Sequence, residues 1–221
     1  MDEGRGELKC DEVVAWYLNQ TMGKRAGSLT SLVPERYPAV VRVLNPVTAP
    51  DGSRFRWSDI AGPKVTVDAE TEWSDIVAAA GGKADQYYEP EAGTIDPGVA
   101  RRLITLLSEH TESSRCVYLV WEGYSALTGW VRHSETITNS MQRTMHVLTG
   151  GLEDALKPID FPPNRIAMNW LPQDASWFVG NDIYARSVFV GASTEVAGSL
   201  LREGSLEAYM VSKTHAIVPE D

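Results

Sequence analysis

Apolar side chains at Cys10, Val13, Val14, Tyr17, Leu18 and Met22 recur at helical spacing, which predicts one amphipathic helix ended near Gly23. The pattern changes at Tyr37 to Leu44, YPAVVRVL, where β-branched residues between Pro38 and Pro46 predict a strand, followed by a turn at TAPDGSR. Trp-Ser-Asp-Ile then occurs twice, at Trp57–Ile60 and Trp73–Ile76, and each copy reads as a helix start that buries its Trp. Gly62-Pro63 cuts the first helix short, and Gly81-Gly82 stops the second. Residues 82–98 carry much charge and little periodicity, as expected of a loop. Val99, Leu103, Ile104, Leu106 and Leu107 form a helical stripe behind Pro97, which suits a first turn. Cys116 to Tyr124, CVYLVWEGY, is almost continuously apolar and predicts a strand covered on both faces, at the centre of a sheet. Residues 126–140 show no pattern; RTMHVL reads as a further strand, GLEDALK as a short helix and PIDFPPNR as a stiff link.

The clearest local grammar lies in Asn169 to Ser212. Trp177–Ile183 reads as a strand, Tyr184–Ser187 as a tight connection and VFVGA as a second strand. A helix over Glu195–Glu203 follows, capped by Ser193 or Thr194, with Val196, Leu200 and Leu201 on one face. Gly204 is expected to close it in the left-handed conformation. The third strand, LEAYMV, is then expected parallel to VFVGA through a crossover. The fold class these elements define is α+β: a single mixed β-sheet centred on Cys116–Tyr124, helices packed against it, and a C-terminal β-β-α-β unit. Along the chain this divides into residues 1–32 as an N-terminal helix and linker, 33–212 as one α+β domain and 213–221 as a tail.

Composition narrows the function. With 43% hydrophobic residues in 221, the chain can fill a substantial core. A formal charge of −10, from 30 acids against 20 bases, argues against a nucleic-acid binder, which needs a basic face to release counterions. Asp68, Glu70, Glu72, Asp75, Asp85, Glu89, Glu91 and Asp96 oppose Lys83 alone and read as a solvated surface. The opening residues do not form a secretory signal, and no apolar run approaches the roughly 18 residues of a membrane span. Cys10 and Cys116 make neither a zinc framework nor a disulfide scaffold, so a cytoplasmic location is expected. His110, His133, His146 and His215 lack the close pairing of metal ligands. No nucleotide-binding loop or nucleophile elbow follows any strand, and no metal or cofactor is implied. Gly191-Ala192-Ser193 precedes a helix, where an ordinary N-cap is expected over an anion site.

Two constellations remain as ligand- or partner-binding candidates. Trp121, Glu122 and Tyr124 close the apolar strand, where ligands collect in open sheets. Trp170, Asp174 and Trp177 fall in the loop entering the C-terminal unit, and Asp182 ends its first strand. Parallel strands, adjacent or one apart, would put Glu122, Tyr124 and Asp182 on one rim, with Trp170 able to join only if its loop folds back. Antiparallel pairing would separate them. The competing explanation is core aromatics plus turn-making acids. No catalytic residue is assigned.

VRVLNP, YLVWEGY and LPQDASWFVGNDI…SVFVGAS resemble the pattern of a family of uncharacterised, mainly actinobacterial proteins. That family pairs a Trp-(Asp/Glu)-Gly strand end with a later Trp-Pro-x-Asp-x-x-Trp element. This chain departs from it: Asn45 stands where a His is common, Leu171 separates Trp170 from Pro172, Tyr184 replaces an acid and Ala192 a Gly. The resemblance implies a bacterial cytosolic protein of no assigned activity. A fainter similarity is to SUKH-type immunity proteins, which bind partner proteins. Two functions are therefore expected in competition. The first is a non-catalytic module that binds another protein; the alternative is a small-molecule-binding protein or enzyme with an aromatic and carboxylate pocket.

Overall fold

Successive side chains of a strand point to opposite faces, so Val41 and Val43 of β1 (Ala39–Leu44) enter one buried cluster while Val40 enters another. Both faces must therefore be covered. In the computed structural model, which describes residues 8–217, β1 belongs to an eight-stranded sheet and a separate hairpin follows it, β2 (Val47–Thr48) with β3 (Arg54–Phe55). The sheet also holds β4 (Cys116–Trp121), β5 (Thr136–Thr138), β6 (Thr144–Gly150), β7 (Asn169–Pro172), β8 (Phe178–Gly180), β9 (Ser187–Ala192) and β10 (Ala208–Met210). Their order is β10-β1-β9-β8-β7-β4-β6-β5.

Helix α1 (Cys10–Thr21) covers one face with Val13, Val14 and Tyr17, beside Leu29, Leu32 and Val33. His215 and Ile217 are also buried, and Ala216 bridges to Ser28. The opposite face carries α4 (Pro97–Ser108), α6 (Thr194–Arg202) and the short α5 (Gly129–Arg132). Beyond the sheet, α2 (Trp57–Ala61) and α3 (Trp73–Ala80) pack Trp57 edge-on against Trp73 at 5.5 Å. The repeated Trp-Ser-Asp-Ile thus marks two alike helix starts. Asp59 and Asp75 each accept a backbone N–H from three residues upstream, at 3.0 and 2.8 Å.

The α+β class stands, and the sheet differs from the expected one in three ways. Every ladder in it is antiparallel. β10 does run parallel to β9, but β1 lies between them and pairs with both, so the crossover through α6 spans a strand already in place. The expected central strand, β4, sits between β7 and β6, while β8 and β7 hold the middle. The cause is Asn169–Pro172: expected as a connecting loop, it is a strand that pairs with β4 and β8 at once. The unpatterned stretch at 126–140 supplies α5 and β5. Finally, Gly204 does not take a positive φ. The carboxylate of Glu203 accepts from the N–H and hydroxyl of Ser205, at 2.9 and 2.7 Å, and makes the turn instead.

Candidate functional site

Strand direction decides which loops meet. β7 is antiparallel to β4 and to β8, so β4 and β8 run the same way one strand apart. β9 in turn pairs antiparallel with β8 and with β1, which gives β1 that direction too. The C-terminal ends of β1, β4 and β8 therefore open at one end of the sheet, bringing Asn45, Glu122, Tyr124, Asn181 and Asp182 to it.

The acidic loop lies across this end and is held by polar side chains. Asn45 Nδ2 and Asn181 Nδ2 both donate to the Thr94 carbonyl at 2.9 Å, and Asn45 Oδ1 accepts from Asp96 N at 3.0 Å. The Tyr124 hydroxyl donates to the Gly93 carbonyl, and Gly93 N donates to Ala185 O at 3.0 Å. Gly93 has φ +71°, and a Cβ there would meet Ile183 O at 2.7 Å, so no larger residue fits. Burial pushes the Tyr124 hydroxyl well above its ordinary pKa, which makes it a fixed neutral donor.

Arginines neutralise the acids around the loop. Asp182 is fully buried, pairs with Arg143 and accepts from Tyr184 N at 3.0 Å. Arg165 reaches Glu91 at 2.9 Å and Asp160 at 3.2 Å, and its guanidinium lies 5.1 Å from the Tyr124 ring centroid. Arg186 pairs with Glu89 at 3.1 Å. Arg143 stacks in the same way over Tyr184, at 5.7 Å.

Of the candidates named from sequence, Glu122, Tyr124 and Asp182 share this end, with Trp121 half-buried and edge-on to Tyr124 at 5.2 Å. Trp170 and Trp177 do not reach its surface; both are fully buried in the core, and Trp170 Nε1 donates to Ala167 O at 2.8 Å. Asp174 lies at the opposite end, in the β7–β8 turn. Its carboxylate accepts from the Thr111 hydroxyl and from backbone N–H groups of Glu112, Ser113 and Ser176. Burial alone would raise that carboxyl; the hydrogen bonds outweigh it and hold it below the ordinary range.

Sequence inspection missed Arg143, Arg165 and Arg186, whose spacing carries no periodic signal, and His146, which faces a cavity from within a strand. It also missed three exposed aromatics. Tyr88 and Tyr184 lie beside the arginine pairs, and Phe161 N donates to Ala126 O just after β4. Open cavities flank the loop. One of about 400 Å³ lies between β1 and the start of α4, lined by Leu44, Arg54, Arg56, Asp96 and Glu207 among others. One of about 350 Å³ lies past β4, lined by Glu122, Tyr124, Ala126, Leu127, Arg132 and His146. The Cys116 thiol is pushed up to about 12, chiefly by burial, and is unsuited to nucleophilic work. Among the described residues no group of three or more His, Cys, Asp or Glu is placed to hold a metal, and no helix is long and apolar enough to cross a membrane.

Comparison with known protein families, with characterised proteins and with solved structures gives no match to this chain.

Proposed function

We propose that the protein is a non-catalytic module of the bacterial cytoplasm that docks a partner protein across the loop-covered end of its sheet. The observation that carries this is three aromatics left in solvent beside ordered arginines: Phe161 is 76% exposed, Tyr88 65% and Tyr184 59%. Aromatic and arginine side chains dominate binding hot spots, and here the arginines are already fixed by ion pairs, which lowers the cost of ordering them on association. Asp182, Glu91, Asp160 and Glu89 at this end are paired with arginines, an arrangement that favours recognition over proton transfer. The net charge of −10 and the exposed acids Asp68, Glu70, Asp75 and Asp85 favour a partner with a basic face. Two free cysteines, one of them buried, accord with a reducing compartment.

The test begins with affinity capture from the source cells, identification of what is retained, and calorimetry with both proteins pure. The double variant Phe161→Ala/Tyr184→Ala is expected to raise Kd at least about tenfold, while Met22→Ala, an exposed control on the α1 face, leaves it unchanged. A purified pair whose affinity is the same with and without the two aromatics would refute this docking surface.

A further inference from the structure

The charged groups at this end of the sheet fall into two sets. Arg143, Arg165 and Arg186 are matched by carboxylates. Glu122 and Arg132 are not: among the described residues neither side chain has a hydrogen-bond or ion-pair partner, and they do not pair with each other. Yet both line the same cavity of about 350 Å³. Opposite charges set apart across one hollow suit an occupant that carries the complementary charge at each of two points.

A third polar group narrows the occupant. His146 is only 5% exposed and lines the cavity from β6. Its Nδ1 lies 3.3 Å from Ser134 Oγ, and that hydroxyl donates to the Val131 carbonyl at 2.8 Å. A serine proton so engaged matches the imidazole tautomer with its hydrogen on Nδ1, in which Nε2 is an acceptor. Nε2 has no partner among the described residues. The nitrogen opens on the cavity, where a donor of an occupant can reach it in place of solvent. His146 and Glu122 also share a sheet face, because Val120 faces His146 across the ladder and Glu122 N donates to Thr144 O at 3.0 Å. Two acceptors and a guanidinium from α5 thus line the same hollow. Ala126, Leu127 and the Tyr124 ring supply an apolar wall, and Ala126 holds the uncommon φ of +61°.

We propose that this cavity binds a small zwitterion, an α-amino acid with an apolar side chain. Its carboxylate sits on Arg132, its ammonium between Glu122 and Nε2 of His146, and its side chain against Leu127 and Tyr124. A planar guanidinium matches a carboxylate with two parallel hydrogen bonds, and an ammonium has the three donors that a carboxylate and an imidazole nitrogen require. The site uses side chains other than the exposed aromatics proposed for partner docking, and it does not rest on that reading.

The experiment is calorimetric titration of the full chain with L-leucine, N-acetyl-L-leucine and L-leucinamide. Leucine is expected to bind saturably, and each analogue, lacking one of the two charges, at least about tenfold more weakly. Glu122→Gln is expected to abolish discrimination against the N-acetyl compound, and Arg132→Gln that against the amide. Both residues are exposed, so circular dichroism should show the fold unchanged. Phe161→Ala/Tyr184→Ala should leave leucine affinity intact, so failure of the amino-acid site and failure of partner docking are read separately. The proposal is overturned if no apolar L-amino acid binds at about 10 mM, ten times the Kd of a millimolar ligand. It is equally overturned if leucine and its two analogues bind alike, or if the two variants keep the discrimination of the parent.

Discussion

Asp182 has no exposed surface, and its charge is balanced by the single guanidinium of Arg143. Removing the cation alone leaves a carboxylate in the interior without its partner, so Arg143→Met is expected to lower stability by about 3 kcal/mol in urea unfolding. Replacing both residues, Arg143→Met with Asp182→Leu, should cost clearly less, because no charge is then stranded. Equal losses in the single and double variants would count against a buried pair. That Asp182 ends a strand was legible from sequence, and so was its place with Glu122 and Tyr124 once the strands run alike. Its partner was not, because Arg143 is 39 residues away and only the ladder of β6 on β4 brings it back.

Helix ends and turns follow local chemistry, and there the sequence is informative. Ser193 Oγ accepts from Val196 N at 3.2 Å and caps α6, whereas Thr194 is already its first residue. Ser193→Ala should therefore cost about 1 kcal/mol by thermal unfolding, with Thr194→Ala close to neutral. Loss of the same stability in both would point to a shared cap. The β7–β8 turn is governed by Asp174, whose carboxyl is held below the ordinary range. A depressed folded-state pKa contributes stability that is fully present above the unfolded value, about 3.9, and is lost as pH falls through the folded one. Asp174→Asn should thus be less stable than the parent at pH 7, and its stability should fall less steeply below about pH 4. Parallel acid-denaturation curves would contradict this. The helix end at Glu203 shows the limit of local rules: a glycine stood ready, but a side-chain turn through Ser205 made the left-handed residue unnecessary.

At the scale of the whole molecule, the dispersed histidines and cysteines lead to the expectation that the purified protein carries no stoichiometric transition metal. Elemental analysis finding one zinc or iron per chain would reverse that. The sequence by itself determined the α+β class, five of the six helices (α1, α2, α3, α4 and α6) and the strands β1, β4, β6, β8, β9 and β10, because each rests on hydrophobic period and on caps within a few residues. It also named Glu122, Tyr124 and Asp182. Only the tertiary structure decided strand order, because pairing is set by long-range packing. Asn169–Pro172, too short and too irregular to announce itself, became the strand between β4 and β8. That one insertion fixed their common direction, joined Glu122 and Asp182 at one end, and sent Asp174 to the other. It also buried Trp170, on that interior strand, and Trp177, just before β8, since apolar rings there face the core wherever helices cover the sheet. The arginines and His146 came to the same end for the same reason: their neighbours there are distant in sequence, and no local pattern records them.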